Sequence, residues 1–321
     1  MCSPRPAASY FSRRWRSWSA LGLGWLLAAC SASVGADAGE LSEEPGATRA
    51  LIRVERTASL DRSSTSPEAI RASALARFAT VSGANPERVL GLLDLSEDLP
   101  EPGRCLEPTL DAQPSLATLG RVELLEAGDV SVAAANQTTL LAPRAFPTVK
   151  DLVSGVVYST RDQAAEPLPE GALYRVWSSG SGLLPPLDVS ADAPDSPSEV
   201  HIDGTPLAEL ASLELGASVG LTWSPQVQAP QVQGNVSSDD LLLFELTDGV
   251  SSVLCSFEDR AGNGTVPQSA LAGSGLSAGS ATLSVHRVRV VEFTSDGIDQ
   301  GELRFDFEVT SRVRVSNSSA E

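Results

Sequence analysis

The stretch ELRFDFEVTSRVRV, residues 302–315, has the most regular pattern in the chain and decides its fold class. Apolar residues alternate with polar ones, and the apolar set is Leu303, Phe305, Phe307, Val309, Val313 and Val315. Successive side chains of a β-strand point to opposite faces, so this alternation indicates a strand with one buried side and one wet side. An amphipathic helix would instead repeat its apolar residues every three or four positions. The stretch therefore predicts a long, half-buried strand.

The preceding stretch ATLSVHRVRVVEF, residues 281–293, supplies a partner strand through the turn-rich sequence TSDGIDQG. Its apolar residues move from odd positions before His286 to even positions after Arg287, which predicts a β-bulge at these two residues. With that bulge, Arg287 and Arg289 would face acidic residues of the last strand as exposed ion pairs. The C-terminal region is thus predicted to be an antiparallel hairpin.

From about residue 120 onward, short β-branched and aromatic runs alternate with Gly, Pro and Ser breakers. RVELLEAGDVSVA, residues 121–133, predicts a hairpin that turns at Gly128-Asp129. Other runs of this kind are DLVSGVVYST, ALYRVWSSG, SVGLTWSP and DLLLFELTDG. Many short strands without βαβ alternation predict a mainly β fold, an antiparallel β-sandwich over residues 120–321. The pattern leaves open whether this region forms one large sandwich or two small ones.

Residues 67–119 precede this region and contain one clear helix pattern, near residues 86–94. In GANPERVLGLLDL, Asn85 is a suitable N-cap, Pro86 fits the first helical position, and Glu87 complements the positive end of the helix. An apolar face follows, made of Val89, Leu90, Leu92 and Leu93. We therefore expect a small helix-containing segment that packs on the β domain.

Two motifs within residues 217–271 resemble immunoglobulin-like modules. LTWSP resembles the tryptophan strand of fibronectin-type and other immunoglobulin-like sandwiches, and VLCSFEDRAGNG resembles the D-x-A-G-N signature of bacterial modules of this class. The arrangement is similar to predicted lipoproteins of bacterial envelopes. The resemblance implies an immunoglobulin-like fold in which Trp223 fills the core, and such a fold alone assigns no function.

The first residues have the order of a secretory signal peptide. MCSPRPAASYFSRRWRSWS carries four arginines and no acid, and the apolar run ALGLGWLLAA follows at residues 20–29. The run is far shorter than the roughly 20 apolar residues that span a bilayer. The tetrapeptide LAAC, ending at Cys30, resembles the lipobox of bacterial lipoproteins, in which the cysteine receives lipid and becomes the mature N-terminus. This resemblance implies a signal peptide at residues 1–29 and a lipid anchor at Cys30, while plain cleavage after Ala36 is the alternative.

Residues 30–66 are small, polar and acidic, and we expect them to form a flexible tether, with a short strand near residues 51–54 as an alternative for part of it. Ser31 is compatible with sorting to the outer membrane, so the expected location is the cell envelope. The chain has a formal net charge of −18 at pH 7. Nucleic acids and anionic headgroups bind basic patches, so we expect no nucleic-acid partner. The expected partners are the membrane, through the anchor, and an envelope protein or a glycan.

The four cysteines are easily assigned. Cys2 would leave with the signal peptide and Cys30 would carry lipid, which leaves Cys105 and Cys255. Two remaining thiols in an oxidising compartment predict a disulfide between them. Neither a C-x-x-C pair nor clustered histidines are present, so no metal site and no cofactor are expected.

The sequence offers one weak nucleophile. Ser277 lies in GLSAG, which matches G-x-S-x-G, but that motif is catalytic on a strand-to-helix turn, whereas Ser277 lies in a Gly/Ser loop that leads into a strand. His201 and His286 are unpromising bases, and no pair stands out among 41 acids. We therefore expect a lipid-anchored envelope protein with a non-catalytic structural or protein-contact role. The alternatives are an exported hydrolase and a glycan-binding module that would need an exposed Trp177.

Overall fold

The structure is a computed structural model that describes residues 46–60, 69–82, 99–106, 121–149, 153–160, 168–226 and 240–317. All of these residues belong to one compact unit, Glu43–Glu321. The predicted signal peptide, Cys30 and the helix predicted near residues 86–94 lie outside the described residues. Within the described ranges, no helix has both the length and the hydrophobicity that crossing a bilayer requires.

The described part consists mainly of β-strands, which confirms the predicted mainly β class. The strands are β1 Ala47–Ser59, β2 Ala69–Ser82, β3 Arg121–Leu124, β4 Val130–Ala134, β5 Gln137–Val149, β6 Val153–Ser159, β7 Leu173–Ser178, β8 Asp188–Asp192, β9 His201–Ile202, β10 Thr205–Pro206, β11 Ser212–Glu214, β12 Val219–Thr222, β13 Leu241–Thr247, β14 Ser252–Glu258, β15 Asn263–Val266, β16 Gly279–Ser295 and β17 Ile298–Ser316. A short 3₁₀ helix, Asp259–Ala261, follows β14, and one turn and a half of α-helix, α1, spans Gln268–Gly273.

Thirteen of the described strands form one large sheet. Its order is β14-β13-β16-β17-β1-β2-β3-β6-β5-β4-β7-β8, and β11 also pairs with β17. Most neighbours are antiparallel, but β1 and β11 run parallel to β17, and β3 runs parallel to β6. The sheet is therefore mixed, which corrects the purely antiparallel arrangement predicted. The other four described strands form a small sheet of order β10-β9-β12-β15.

The long hairpin predicted at the C-terminus is present. β16 and β17 pair in antiparallel register and turn at Gly297, whose φ of +74° is a left-handed conformation that favours glycine. The six apolar residues that alternate along β17 are all buried. The alternation of residues 302–315 therefore identified both the strand and its buried side.

The β-bulge predicted at His286-Arg287 is wrong. The register of β16 against β17 is continuous through these residues, and the irregularity lies between Phe293 and Ser295 instead. Arg287 and Arg289 consequently lie on the same side of β16 as its apolar residues Leu283, Val285, Val291 and Phe293. The prediction failed because it treated the two arginines as necessarily exposed.

β1 and β2 lie in the middle of the large sheet. β1 pairs along most of its length with β17, and β2 pairs with the other edge of β1. The tether predicted over residues 30–66 therefore does not extend through residues 47–59, and the segment predicted at 67–119 contributes a strand to the sheet that it was expected to pack against. The buried side of β1 consists of small and medium apolar residues, Ala50, Ile52, Val54 and Ala58. Its other side is mostly polar and includes Arg49, Arg53 and Glu55, a composition that is more typical of an exposed segment than of a central strand.

The hairpin predicted over residues 121–133 is also wrong. β3 pairs with β2 and β6, whereas β4 pairs with β5 and β7. A turn does occur at Gly128, whose φ is +72°, and an added Cβ would lie 2.2 Å from the carbonyl oxygen of Gly180. The turn residues were thus correctly identified, but the turn directs the chain to a new neighbour instead of back along β3.

Two large clusters of buried apolar side chains fill the described part. The first combines β1, β2 and β17 with β4, β7 and β8, which are remote from them in the strand order. Tyr174 of β7 and Phe305 of β17 meet there, with their ring centroids 5.1 Å apart. The second cluster combines β13, β14 and the first half of β16 with the small sheet and α1. Arg287 and Arg289 lie on β16 between its contributions to the two clusters.

Candidate functional site

The middle of β16 places charged side chains on both faces of the large sheet. Arg287 and Arg289 face the side of the two apolar clusters, and His286 faces the opposite side, because neighbouring residues of a strand alternate. All three side chains are largely buried. A buried charge is costly unless it is paired and hydrogen-bonded, so the partners of these residues decide what the region can do.

Arg287 is only 2% exposed, and each of its three guanidinium nitrogens has an acceptor. Nε donates to Asp259 Oδ1 at 3.0 Å. Nη1 donates to the carbonyl oxygens of Asp195 and Ser196 at 3.1 and 3.2 Å, and Nη2 donates to that of Ser224 at 2.6 Å. The side chain therefore fixes three separate chain segments to the centre of β16.

Arg289 makes a bidentate pair with Asp240. Its Nε and Nη2 atoms each donate to one carboxylate oxygen at 2.6 Å, and Nη1 donates to the carbonyl oxygen of Asp192 at 2.9 Å. Two parallel hydrogen bonds between a guanidinium and a carboxylate are among the stronger polar contacts in proteins. The exposed pairs predicted for Arg287 and Arg289 with acids of β17 are therefore wrong, since both arginines bind other aspartates away from solvent.

The two aspartates are themselves tied together. Asp259 donates its backbone N–H to the carbonyl oxygen of Asp240, and its carbonyl accepts from Trp223 Nε1 at 2.8 Å. Its Oδ2 atom accepts from the backbone N–H of Gln226. We call Arg287, Arg289, Asp240 and Asp259 the arginine–aspartate cluster. Its contacts are all made within the fold, so it acts as a structural joint between the two apolar clusters.

His286 lies among three carboxylates on the other face of the sheet. Its Nδ1 is 2.8 Å from Asp306 Oδ1, and its Nε2 is 3.4 Å from Glu308 Oε2 and 3.5 Å from Glu245 Oε2. Glu245 belongs to β13 and the other two acids to β17, so the acids lie on both sides of β16. We call His286, Glu245, Asp306 and Glu308 the histidine cluster.

The histidine cluster favours a charged ring. Burial acts to lower the pKa of His286, but the charge and hydrogen bond of Asp306, together with Glu245 and Glu308, raise this pKa well above its ordinary value. Burial acts to raise the pKa of Asp306, but the charge and hydrogen bond of His286, with Arg53 and Arg304 nearby, lower it. A protonated ring held by carboxylates cannot accept a proton from a nucleophile, so this histidine is unsuited to general-base catalysis.

Ser277 has no catalytic partner among the described residues. Ser277 is exposed in the loop between α1 and β16, and its backbone N–H donates to Asp248 Oδ2 at 3.0 Å. His286 is engaged in the histidine cluster, and His201 Nδ1 lies 2.8 Å from the carbonyl oxygen of Glu199 in its own turn. The serine lacks both the strand-to-helix turn and the adjacent base that a nucleophile of this class uses.

Trp177 lies half-buried on β7 and already has a stacking partner. The Arg175 guanidinium carbon is 5.5 Å from the centroid of its ring, and Arg175 is held by two hydrogen bonds to Asp188. Trp223 is buried in the second cluster beside Phe257, as expected for a core residue. Of the two described tryptophans, Trp223 is therefore a core residue, and Trp177 has one face of its ring occupied by Arg175.

Cys105 and Cys255 are joined at disulfide distance, with the sulfur atoms 2.04 Å apart, which confirms the predicted pairing. Residues 103–106 also make backbone hydrogen bonds to β14 beside the disulfide. A pocket of about 620 Å³ lies next to this bond, and Arg104 is the one ionisable side chain in its described lining. Across the described ranges, no group of three or more His, Cys, Asp or Glu residues is arranged to hold a metal ion.

Comparison with protein-family models finds no match, and comparison with curated proteins finds none. Among solved structures, the chain is similar to the Mu homology domain of Fcho1 from Danio rerio, determined with a bound Eps15 peptide. The two are 10% identical, the alignment covers 84% of this chain and 98% of that chain, and the TM-score is 0.24. A likeness at this level assigns neither a family nor a function to the chain.

Proposed function

We propose that this protein is a lipid-anchored component of the bacterial cell envelope with a non-catalytic role in structure or protein contact. Residues 1–29 direct export, Cys30 carries the lipid, and Ser31 favours the outer membrane. In the sequence, residues 31–46 connect Cys30 to β1, which begins at Ala47. If cleavage instead follows Ala36, the same folded part is released as a periplasmic or secreted protein.

The disulfide between Cys105 and Cys255 is the observation that carries this proposal. Cytosolic thiols are kept reduced, whereas such bonds persist in exported proteins. The two sulfur atoms lie at bonding distance although their residues are 150 positions apart in the sequence. A structural disulfide between such distant residues therefore supports an oxidising compartment, as the signal sequence predicts.

We also propose that the strands pack as a β-sandwich. Support comes from the first apolar cluster, which gathers side chains from two parts of the large sheet that are far apart in its strand order. The contact between Tyr174 and Phe305 links these two parts directly. β5 pairs with β4 through its first residues and with β6 through its later ones, so one strand passes from one part to the other.

A protein contact is favoured over catalysis or sugar binding because of how the polar and aromatic groups are used. The buried charges bind each other, and Ser277 has no described base. On the outer side of β4, β5 and β7, Trp177 and the exposed Leu140 both pair with Ser131, so they share a face with Arg175. Tryptophan and arginine are enriched at the energetically important positions of protein interfaces. This face is the best candidate for such a contact.

The anchor is tested by metabolic labelling with a fatty acid analogue in a bacterial host that expresses the full chain. We expect label on the wild type and none on Cys30→Ala, because the thiol is the group that receives the lipid. Cys2→Ala is the matched control, since it removes a cysteine that leaves with the signal peptide, and it should keep the label. Equal absence of label from all three chains, with a mature N-terminus at Asp37 by mass spectrometry, would contradict the anchor and favour release.

A further inference from the structure

The histidine cluster has an arrangement that the proposed function leaves unused. Three carboxylates from two different strands converge on one ring, and their side chains are mostly shielded from water, with 33%, 18% and 21% exposure for Glu245, Asp306 and Glu308. Like charges that are brought together in this way repel one another unless a cation lies between them. The only side chain placed between the acids of β13 and those of β17 among the described residues is that of His286.

The geometry specifies which ring nitrogen must carry the additional proton. Nδ1 is within hydrogen-bond distance of Asp306 Oδ1, and an ionised carboxylate only accepts, so Nδ1 carries a hydrogen. In a neutral ring, Nε2 would then present a lone pair toward Glu245 and Glu308. Nε2 is buried and makes no hydrogen bond of good geometry to another described residue. Two carboxylates facing a lone pair would be repulsive, whereas a proton on Nε2 makes both contacts attractive.

We propose that His286 is a charged clasp whose Nε2 proton holds Glu245 of β13 and Glu308 of β17 together across β16, and that this face of the sheet loosens when the proton is lost at alkaline pH. The clasp adds an electrostatic link to the backbone pairing of β13 with β16. Since β14 pairs with β13, and residues 103–106 are joined to β14, the clasp stabilises the arm of the sheet that carries the disulfide.

The other described charged groups near the cluster include Arg53 of β1 and Arg304 of β17, whose charges also lower the pKa of Asp306. On β1, Glu55 pairs in register with Asp306 and forms an ion pair with Arg53 at 3.2 Å. On β17, Arg304 pairs with Glu302 at 2.6 Å. Thr57 of β1 donates its hydroxyl to Glu308 Oε1, which leaves Oε2 directed at the ring. On β16 itself, Arg287 and Arg289 face away, and on β13 the facing charged group is Glu245.

The direction of the pH effect follows from linkage. The pKa of His286 is raised in the folded protein above its unfolded value of about 6.5. Its contribution to stability is therefore fully present below that unfolded value, and it is lost as the pH rises through the higher folded value. Asp306, whose pKa is lowered, acts in the opposite sense, and its contribution disappears only as the pH falls through its depressed value. The clasp is therefore strongest between these two limits.

The charge state can be read directly because the chain has only two histidines. The experiment is a pH titration of the purified protein, labelled with ¹⁵N-histidine, followed by NMR of the ring nitrogens. The signals lost in His286→Gln and kept in the matched variant His201→Gln belong to His286. We expect these signals to report a doubly protonated ring at pH 7 and to change only on the alkaline side. A neutral ring at pH 7 in the wild type would overturn the proposal, whether or not either variant folds.

Two further measurements separate the clasp from a merely structural histidine. Asp306→Asn and Glu308→Gln should each move the titration midpoint of His286 toward acid by about one pH unit or more, because each removes a nearby opposite charge. The difference in urea midpoint between wild type and His286→Gln should shrink as the pH rises through that titration. A difference that stays constant from pH 6 to pH 10 would overturn the proposal. So would a loss of stability on adding a chelator, because a bound metal would then be the cation.

Discussion

Arg287 shows how a single residue can oppose the pattern of its own strand and still be stable there. Apart from Arg289, the large side chains on its side of β16 are apolar, and Arg287 itself is almost completely buried. Four acceptors from three distant segments satisfy the guanidinium, namely the carboxylate of Asp259 and three backbone carbonyls. The side chain thereby links those segments to β16, which an apolar side chain of similar volume could not do by hydrogen bonding.

Replacement of Arg287 by methionine should be strongly destabilising. The change keeps much of the side chain's apolar volume but leaves Asp259 and three carbonyls without their donor. Removal of one partner of a buried ion pair typically costs about 3–5 kcal/mol. We expect Arg287→Met to lower the free energy of unfolding by an amount in this range, measured by urea denaturation with circular dichroism.

The matched control is Arg260→Met, which makes the same chemical change one residue after Asp259. Arg260 is 67% exposed and pairs with Glu258, and exposed pairs of this kind contribute little. Similar losses for the two variants would show that burial of Arg287 is not what matters. Addition of Asp259→Leu to Arg287→Met should recover part of the loss, because it removes the unpaired charge. The recovery should be incomplete, because the N–H of Gln226 then loses its acceptor on Asp259.

At the scale of single elements, β16 and β17 differ in how far their sequences reveal them. Every apolar residue in the alternation of β17 is buried, because its polar residues face the other side. β16 could not be predicted in the same way, since Arg287 and Arg289 are neutralised by Asp259 and Asp240, which lie on other elements. A pattern within one strand contains no information about partners elsewhere, so the arginine–aspartate cluster was missed. The one local feature that hinted at this cluster is the sequence HRVRVV, residues 286–291, in which arginines continue the strand pattern without a turn residue.

The histidine cluster was missed for the same reason. The sequence around His286 contains no sign of a base, and its position in a cluster of acids on β13 and β17 depends on the register of two strand pairs, β13 with β16 and β16 with β17. The alternation predicted a hairpin but not which residue of β16 faces which residue of β17. The bulge predicted at His286-Arg287 turned Arg287 and Arg289, instead of His286, toward the acids of β17, whereas the observed register is continuous there. The register of β16 against β17 therefore determines whether Asp306 and Glu308 pair with Arg287 and Arg289 or with His286.

Gly301 tests the packing of this hairpin near its turn. It pairs with Phe293 across β16 and β17, and an added Cβ would lie 2.3–2.6 Å from three atoms of the phenyl ring. The ring is largely buried in the first apolar cluster, so it cannot simply move into solvent. Overpacking of this kind typically costs about 1–3 kcal/mol. We expect Gly301→Ala to lower the free energy of unfolding by that amount, measured by urea denaturation.

Gly273→Ala provides the control for Gly301→Ala. Gly273 ends α1, and an added Cβ there meets nothing within 4 Å. Alanine is also the better helix former, so this variant should be neutral or slightly more stable. Equal stability of the two variants would mean that the ring of Phe293 adjusts freely, and that the packing against Gly301 is not a constraint on the hairpin.

At the scale of the whole molecule, composition and spacing predicted the class of fold and the disulfide, but not the order of the strands. β1 lies beside β17 although the two are separated by most of the chain, and the contact of Thr57 with Glu308 spans 251 positions. Such pairings depend on which edges remain available once the nearer strands have paired. The small apolar side of β1 becomes a core surface only because β17 and β2 flank it, so no local pattern could have located it.

Reduction of the disulfide between Cys105 and Cys255 is a single chemical change that tests what stabilises the whole fold. It closes a loop of 150 residues, and the chain-entropy model gives such a loop a stabilisation of at most about 5 kcal/mol, because the unfolded chain is restricted. The folded chain should change little on reduction, because residues 103–106 keep their backbone hydrogen bonds to β14. The first apolar cluster contains neither cysteine, and in the second Cys255 is one buried member among many. We therefore expect an unchanged β-type circular dichroism spectrum and a lower urea midpoint in reductant.

Cys105→Ala is the matched variant for this reduction, since Cys105 is less deeply buried than Cys255 and its removal leaves the smaller gap. In oxidising buffer the variant should have the midpoint of the reduced wild type, and reductant should not lower it further. Loss of the β spectrum on reduction would mean that the bond holds the folded state itself together. An identical midpoint with and without reductant in the wild type would mean that the thiols are not bonded in solution. The disulfide would then no longer support an oxidising compartment.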